Sequence, residues 1–496
     1  MKNAFRPLII SVIIILLLIG ILFKKDEVAT PLDTLEIYCA AGMKLPIEEL
    51  ATQYEAEYGV RVQLQYGGSG TLLSNLQIAK EGDIYLAADS SYIDIAREKG
   101  LVAEALPAAM MKPAIAVPKG NPKNIDGIGA LLAEGMRVSL ANPDAASVGK
   151  VTKKMLTASG QWDALEKQVQ ANGVFKPTVN DVANDVKLGT VDAGIVWDAT
   201  VHQYPELEIV PIPEAMDFVK HVTLGILNSS ENATSALRFA RYVSSADKGM
   251  PVFQKYGFEV AGGDAWAVKP EIVYFAGGVN RVAIEKTLAT FQEREGIDIT
   301  TVYNGCGILL GSIKGGERPD VYHTCDASFM KGVEELFGAA DPVSKTDIML
   351  VTQPGNPHNL HRLEDLVKPD LQIGLCNEDQ STLGFMTGAM LRDKGIYDAV
   401  QKNVIVNTPT ADLLVAQITV GKLDAAVVYR ANTLAVGDKA NVMALPDENA
   451  NATQTYAIAQ QTKYPVLLER LHQAIRSATS KKQFESSGFE YLEAKL

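Results

Sequence analysis

From Leu35 onward, apolar and polar positions fall into short blocks whose period keeps switching. Leu35–Tyr38 is an apolar run that leaves through Cys39-Ala-Ala-Gly42. Pro46–Tyr58 carries apolar residues at helical spacing, and Val60–Leu64 alternates with the period of a strand. Gly67–Gly70 is a turn, helical periodicity resumes over Thr71–Ala79, and Asp83–Ala87 is strand-like again. Strand alternating with helix predicts a parallel sheet covered by helices. Ala114–Val117 and Met136–Leu140 start a second set of such blocks; His221–Leu227 adds a strand and Ala233–Tyr242 a closing helix. The pattern predicts two α/β lobes joined by crossing strands. Ligands bind such sheets beyond the carboxyl ends of the strands, which puts Cys39–Gly42, Gly67–Ser69 and Ala141–Gly149 around one cleft.

The whole pattern then occurs again. YGGSGTLL at Tyr66–Leu73 returns as YNGCGILL at Tyr303–Leu310, and GDIYLAAD ending at Asp89 returns as PDVYHTCD ending at Asp326. PKGNP returns as QPGNP, VDAGIVW as LDAAVVY, and YGFE at Tyr256–Glu259 as SGFE at Ser487–Glu490. The matches keep their order while the offset drifts from 237 (Tyr66 to Tyr303) to 231 (Tyr256 to Ser487). A unit this long is a domain rather than a solenoid repeat. The expected division is a leader over 1–34, one domain over 35–262 and a second over 270–496, with the boundary in Ala261–Pro270.

Composition narrows the picture. Hydrophobic content of 47% and charged content of 21% describe a globular chain, and a net charge of -13 argues against nucleic acid as a partner. Leu8–Phe23 is apolar, with Lys2 and Arg6 before it and Lys24–Lys25 after it. It falls short of the about 20 residues that span a bilayer comfortably, but no small-residue cleavage site follows closely. We read it as an uncleaved anchor rather than a cleaved signal; either way the body is exported. The chain has four cysteines, Cys39 in the first half and Cys306, Cys325 and Cys376 in the second, which is no simple disulfide framework.

At its loops each half resembles the molybdate-binding protein family of ABC transporters. That family runs a strand into Ala-Ala-Ser-Leu, places a serine turn before Thr-Leu, and has Ser-Ala-Asp, Gly-Asp-Pro-Glu and Ala-Gly-Ile-Val-Tyr further on. This chain has Ala-Ala-Gly-Met (40–43), Gly-Gly-Ser-Gly-Thr-Leu (67–72), Ala-Ala-Asp (87–89), Ala-Asn-Pro-Asp (141–144) and Ala-Gly-Ile-Val-Trp (193–197). The resemblance implies an α/β fold of two tandem periplasmic-binding-protein (type II-like) units, each of two lobes around a cleft, after an N-terminal membrane anchor. It implies a receptor on the periplasmic face of the inner membrane that binds a tetrahedral oxyanion such as molybdate or tungstate for an ABC permease, with no cofactor and no bound metal. Carried over by motif, the first-half ligand residues are Gly42, Gly68, Ser69, Val148, Val179 and Trp197. In the second half they are Gly278, Gly305, Cys306, Leu383, Ala411 and Tyr429. Gly42 and Gly278 stand where the family has a serine, Trp197 where it has a tyrosine, and Cys306 opposite Ser69.

The chemistry suits the residues. An oxyanion without protons accepts hydrogen bonds on every side, and turns entering helices offer free amides and the positive end of the helix dipole. Plainer readings stand beside this one. Ser69 is a candidate helix N-cap, Asp89 and Asp326 are expected to cap the next helix, and His221 is expected in the core. Cys325 and Cys376 fall at strand ends facing the second cleft, where three thiols could approach one site, with ordinary core packing as the plainer reading of both; Cys306 is expected exposed in its turn. Other functions to weigh are a sensor or scavenging receptor without a permease, and an enzyme using Cys306 as nucleophile, for which no histidine has a recognisable spacing.

Overall fold

The computed structural model describes residues 33–493. The apolar run Leu8–Phe23 lies outside the described residues. Two compact units divide the chain: the first runs to Asn232 and regains Val252–Glu259, and the second takes Ala233–Pro251 and the chain from Val260 on.

In the first unit, strands β1 (Thr34–Ala40), β2 (Arg61–Gly67), β3 (Ile84–Ala87), β4 (Val102–Met111) and, after the second lobe, β10 (Lys220–Leu227) form one sheet in the order β2-β1-β3-β10-β4. β1 pairs in parallel with β2 and β3, and β10 is antiparallel to β3 and β4. The second lobe holds β5 (Pro113–Pro118), β6 (Val138–Ala141), β7 (Val174–Lys176), β8 (Ala193–Trp197) and β9 (Leu207–Pro211) in the order β7-β6-β8-β5-β9. Each lobe has its own core, Tyr85, Ile93 and Leu76 in one and Ile115, Leu140 and Leu165 in the other. β4 and β5 meet at Lys112, so the two lobes join through consecutive strands that break before Pro113. Proline cannot donate to a ladder, which is why it opens a strand rather than continuing one.

The second unit repeats the plan without the break. β11 (Glu271–Gly277), β12 (Asp298–Asn304) and β13 (Val321–His323) match β1 to β3. Ile348 stands where the first unit has Pro113, and β14 (Asp341–Thr352) runs unbroken through both lobes. Its first half pairs with β19 (Asn451–Ile458) and its second with β17 (Ala425–Tyr429), which merges the two sheets into one of ten strands.

The segment Ala233–Pro251 belongs to the second unit by packing although it belongs to the first by repeat. Arg241, on helix Ala233–Val243, donates to Glu295 at 2.9 Å, and Arg470 closes on the same carboxylate at 3.0 Å; Glu295 is 1% exposed. Val252–Glu259 returns to the first unit, where Lys255 and Tyr256 both reach Glu49, at 2.7 and 2.8 Å. His221, expected in the core, is exposed, because β10 buries only from Val222 onward.

Candidate functional site

Four helix starts converge in the first unit. The short turn Ala41–Met43 leads into helix Lys44–Tyr58, while helices Ser69–Ala79, Ser147–Ala158 and Val179–Lys187 each begin where a strand of their lobe ends. Gly42, Gly68, Ser69, Val148, Val179 and Trp197 line one cavity between the lobes, together with Ser147, Thr178 and Ala88. Among the described residues, no charged side chain lines it. Helix dipoles, amides and hydroxyls therefore set its potential, with the positive ends of the helices toward it.

The lobes are closed on each other. The amides of Gly70 and Thr71 donate to the Ala145 carbonyl at 3.0 and 3.3 Å, and Asn180 Nδ2 donates to the Ala41 carbonyl at 2.9 Å. The glycines of the turn are what let the backbones approach this closely. A Cβ on Gly68 would stand 2.3 Å from the Ala145 oxygen and 2.8 Å from that of Pro177; one on Gly70 would stand 2.5 Å from the Asp144 oxygen. Gly42 has a different reason. Its Cβ would meet Val179 Cγ1 at 3.3 Å and Trp197 Cδ1 at 3.6 Å, so the wide indole occupies the space beside a missing serine.

Ser69 does not cap its own helix, whose N-cap is Gly68. Its Oγ accepts from the Ala88 amide at 3.2 Å, and Tyr85 donates to its carbonyl at 2.7 Å, which fixes the residue at the cavity wall. Asp89 is a cap: it accepts from Ser91 N at 3.0 Å and stays out of the cavity lining. Sequence reasoning missed Lys150 and Tyr92. Lys150 Nζ reaches across from the second lobe to sit 4.5 Å from the Tyr92 ring centroid and 3.3 Å from Ser91 Oγ. Burial, with Asp89 and Asp144 nearby, pushes the Tyr92 hydroxyl up to about 12.

The second unit repeats the frame with other side chains. Helices Cys306–Lys314, Thr382–Asp393 and Ala411–Thr419 start where their counterparts do, bringing Gly305, Cys306, Leu383 and Ala411 to helix N-termini, and Tyr429 ends β17; Gly278 opens the turn after β11, where it matches Ala41, so Val279 rather than Gly278 stands opposite Gly42. A Cβ on Gly305 would stand 2.1 Å from the Gln380 oxygen, and one on Gly307 would stand 2.0 Å from that of Asp379, so these glycines again permit close approach. Cys306, expected exposed, is fully buried, because the second lobe covers its turn. The three thiols do not converge as a metal site. Cys376 faces Thr408 Oγ1 at 3.8 Å, and among the described residues no three His, Cys, Asp or Glu are placed to hold a metal. Cys306 and Cys325 do meet: Cys325 N donates to Cys306 Sγ at 3.0 Å, copying the Ala88-to-Ser69 bond. Thr382 and Tyr429 hydroxyls are buried with no hydrogen-bond partner. At the mouth, Phe329 and Phe385 occupy the positions of Tyr92 and Lys150 and meet edge to face, centroids 6.1 Å apart.

Comparison with known proteins agrees with the doubling. The model of a bacterial extracellular solute-binding protein matches residues 35–259 and again 272–490. A putative binding protein of Haemophilus influenzae is 29% identical over 225 residues, which is 45% of this chain and 90% of that protein. A putative ABC transporter substrate-binding lipoprotein, YvgL of Bacillus subtilis, is 27% identical over 45% of this chain and 86% of its own. The molybdate-binding protein ModA of Mycobacterium tuberculosis is 26% identical over 45% of this chain and 83% of its own. The solved Azotobacter vinelandii periplasmic molybdate-binding protein overlays 46% of this chain and 99% of its own with a TM-score of 0.40 at 18% identity. Each of these three curated relatives is thus matched over most of its length by less than half of the chain. These are solute receptors rather than enzymes, which sets the nucleophile reading of Cys306 aside. The chain belongs to the bacterial extracellular solute-binding protein family, whose fold it carries twice in succession.

Proposed function

We propose that the first unit binds a tetrahedral oxyanion of the molybdate or tungstate class and delivers it to an ABC permease, held at the outer face of the inner membrane by the apolar run Leu8–Phe23. The observation that carries the reading is the cavity lined by Gly42, Ser69, Val148, Val179 and Trp197, with helix starts around it and no carboxylate in its wall. A wall of amides and hydroxyls with no carboxylate to take up a ligand proton favours an anion that carries none. Phosphate at neutral pH keeps at least one, and leaving it unpaired costs about 1–3 kcal/mol, roughly tenfold to a hundredfold in affinity. Several charge-assisted bonds of about 1.5–3 kcal/mol each, less the cost of closing, support micromolar to nanomolar binding.

Calorimetry on the chain from Asp33 onward, titrated with molybdate, tungstate, sulfate and phosphate, tests this. The expected order places molybdate and tungstate above phosphate, with one tight site per chain. Phosphate binding as tightly as molybdate would require an acceptor in the wall and would overturn the reading.

A further inference from the structure

Three positions under the cleft differ between the halves in concert. Ala40, Ser69 and Ala88 of the first half are Gly277, Cys306 and Cys325 of the second. The first glycine explains the other two changes. A Cβ on Gly277 would stand 2.2 Å from Cys325 Sγ and 2.9 Å from Cys306 Sγ, so the volume of the Ala40 methyl is given over to two sulfur atoms. Both cysteines are free, and both are buried at the floor of the second cleft. The Cys325 amide donates to Cys306 Sγ at 3.0 Å, and both sulfurs crowd the one point where a Gly277 Cβ would stand, so the two thiols are neighbours. Family membership places the domain outside the cytoplasm, where thiols in this relation are oxidised.

We propose that Cys306 and Cys325 form a reversible disulfide across the floor of the second cleft, made by exchange with an external disulfide when the lobes part. The Cys306 thiolate attacks one sulfur of the oxidant and expels the other as a thiolate. Cys325 then loses its proton, attacks Cys306 in the mixed disulfide and expels the second thiolate. Two protein thiols are oxidised and one small-molecule disulfide is reduced to two thiols.

The two cysteines are differentiated for these roles. Burial works against a Cys306 thiolate, but the Cys325 side chain and amide, with Thr382 and Tyr322 beside it, outweigh burial and hold its pKa below the usual thiol value. The Tyr322 and Thr382 hydroxyls make no full hydrogen bond, yet both act on Cys306 in the same direction. Cys306 is also the first residue of a helix, where the macrodipole favours a thiolate. Cys325, donating to Cys306 and buried, is held protonated. Cys306 is thus the attacking sulfur and Cys325 the resolving one. Cys39 lacks any such neighbour: it is buried, its sulfur faces the Ala40 carbonyl at 3.6 Å, and burial pushes its pKa far up.

The pairing stands independently of the oxyanion reading, and its test needs no ligand. The full chain is incubated with oxidised glutathione, unfolded, alkylated with N-ethylmaleimide and mapped by peptide mass. The expected result is a Cys306–Cys325 linkage that dithiothreitol reverses, with Cys39 and Cys376 alkylated. Cys325→Ala, which restores the first-half residue, should instead stop at a glutathione adduct on Cys306. Cys306→Ser should give neither product. Alkylation of both Cys306 and Cys325 after oxidation, or a linkage from Cys306 to Cys376, would overturn the proposal.

Discussion

The two clefts share a frame and differ in their fittings. Both hold helix starts at the same positions and both use glycine pairs, Gly68 with Gly70 and Gly305 with Gly307, where backbone carbonyls of the second lobe press in. The floor changes from a hydroxyl beside two alanines to two thiols beside a glycine. The mouth changes from an ammonium on a tyrosine to two phenylalanines. The retained part is what any anion receptor on this frame needs, fixed dipoles and a surface that closes. The divergent part is what sets ligand softness, redox response and the energy of closing. Duplication has let one copy change these without disturbing the other.

The strongest test of the shared frame is to obstruct it. Gly68→Ala would drive a methyl into the Ala145 and Pro177 carbonyls and hold the first lobes apart. The amides at Val148 and Val179 would then be out of reach, a loss of about 3–6 kcal/mol at about 1.5–3 per charge-assisted bond, so molybdate affinity by calorimetry should fall a hundredfold or more. Gly305→Ala should leave that same affinity unchanged. Wild-type affinity in Gly68→Ala would show that the turn does not govern closure.

A somewhat smaller effect is expected at the helix Ala233–Val243. Arg241→Ala leaves buried Glu295 with Arg470 alone, and breaking such a group costs about 3–5 kcal/mol. The melting transition of the second unit should drop while first-cleft binding persists. The pH dependence sharpens this. Burial raises the Glu295 pKa, but Arg470 and Arg241 outweigh it and hold the carboxyl below its ordinary 4.5. A depressed pKa contributes stability that is complete above 4.5 and is lost as pH falls through the folded value. The wild type should therefore lose second-unit stability on acidification below pH 4.5, and Arg241→Ala should show a flatter acid limb in thermal scans. Equal acid limbs would exclude the triad as the cause.

The smallest effect is at the mouths. Lys150→Met removes a cation–aromatic contact worth about 0.5–1 kcal/mol at a partly exposed site. It should weaken first-cleft binding only a few-fold and remove part of its salt dependence. Phe385→Ala should weaken closing of the second cleft with no change in salt response. Small-angle scattering across a salt series, with and without molybdate, distinguishes the two.

The fold was readable because its signal is written twice: the period switches of Leu35–Ala87 return at a nearly fixed offset, and all six first-half candidates line a single cavity. What escaped was contact that no local pattern encodes. Gly68 is a ligand candidate by motif and lines the cavity, but no pattern shows that its Cβ direction meets the carbonyls of Ala145 and Pro177. Cys306 looked exposed because a Gly-rich turn is usually at the surface, but here a second lobe covers it. The Lys150–Tyr92 and Phe329–Phe385 pairs join residues far apart in sequence, and only aligning the halves with the lobes closed makes them visible. His221 sits in an apolar strand, yet falls on the part of β10 that precedes its buried run. Helix Ala233–Val243 reads as the close of the first repeat, and nothing in its periodicity says which core it covers.

That helix has an evolutionary consequence. The repeat boundary and the packing boundary no longer coincide, since Ala233–Pro251 packs in the second unit and Val252–Glu259 in the first. A stop and restart codon between the repeats would release one polypeptide whose Arg241 has lost its carboxylate and another whose Glu295 keeps only Arg470. Splitting the gene there would therefore cost both products part of one buried ion cluster. The segment thus ties the repeats to a common fate: the first supplies Arg241, the second supplies the Glu295 it neutralises, and neither is whole by itself.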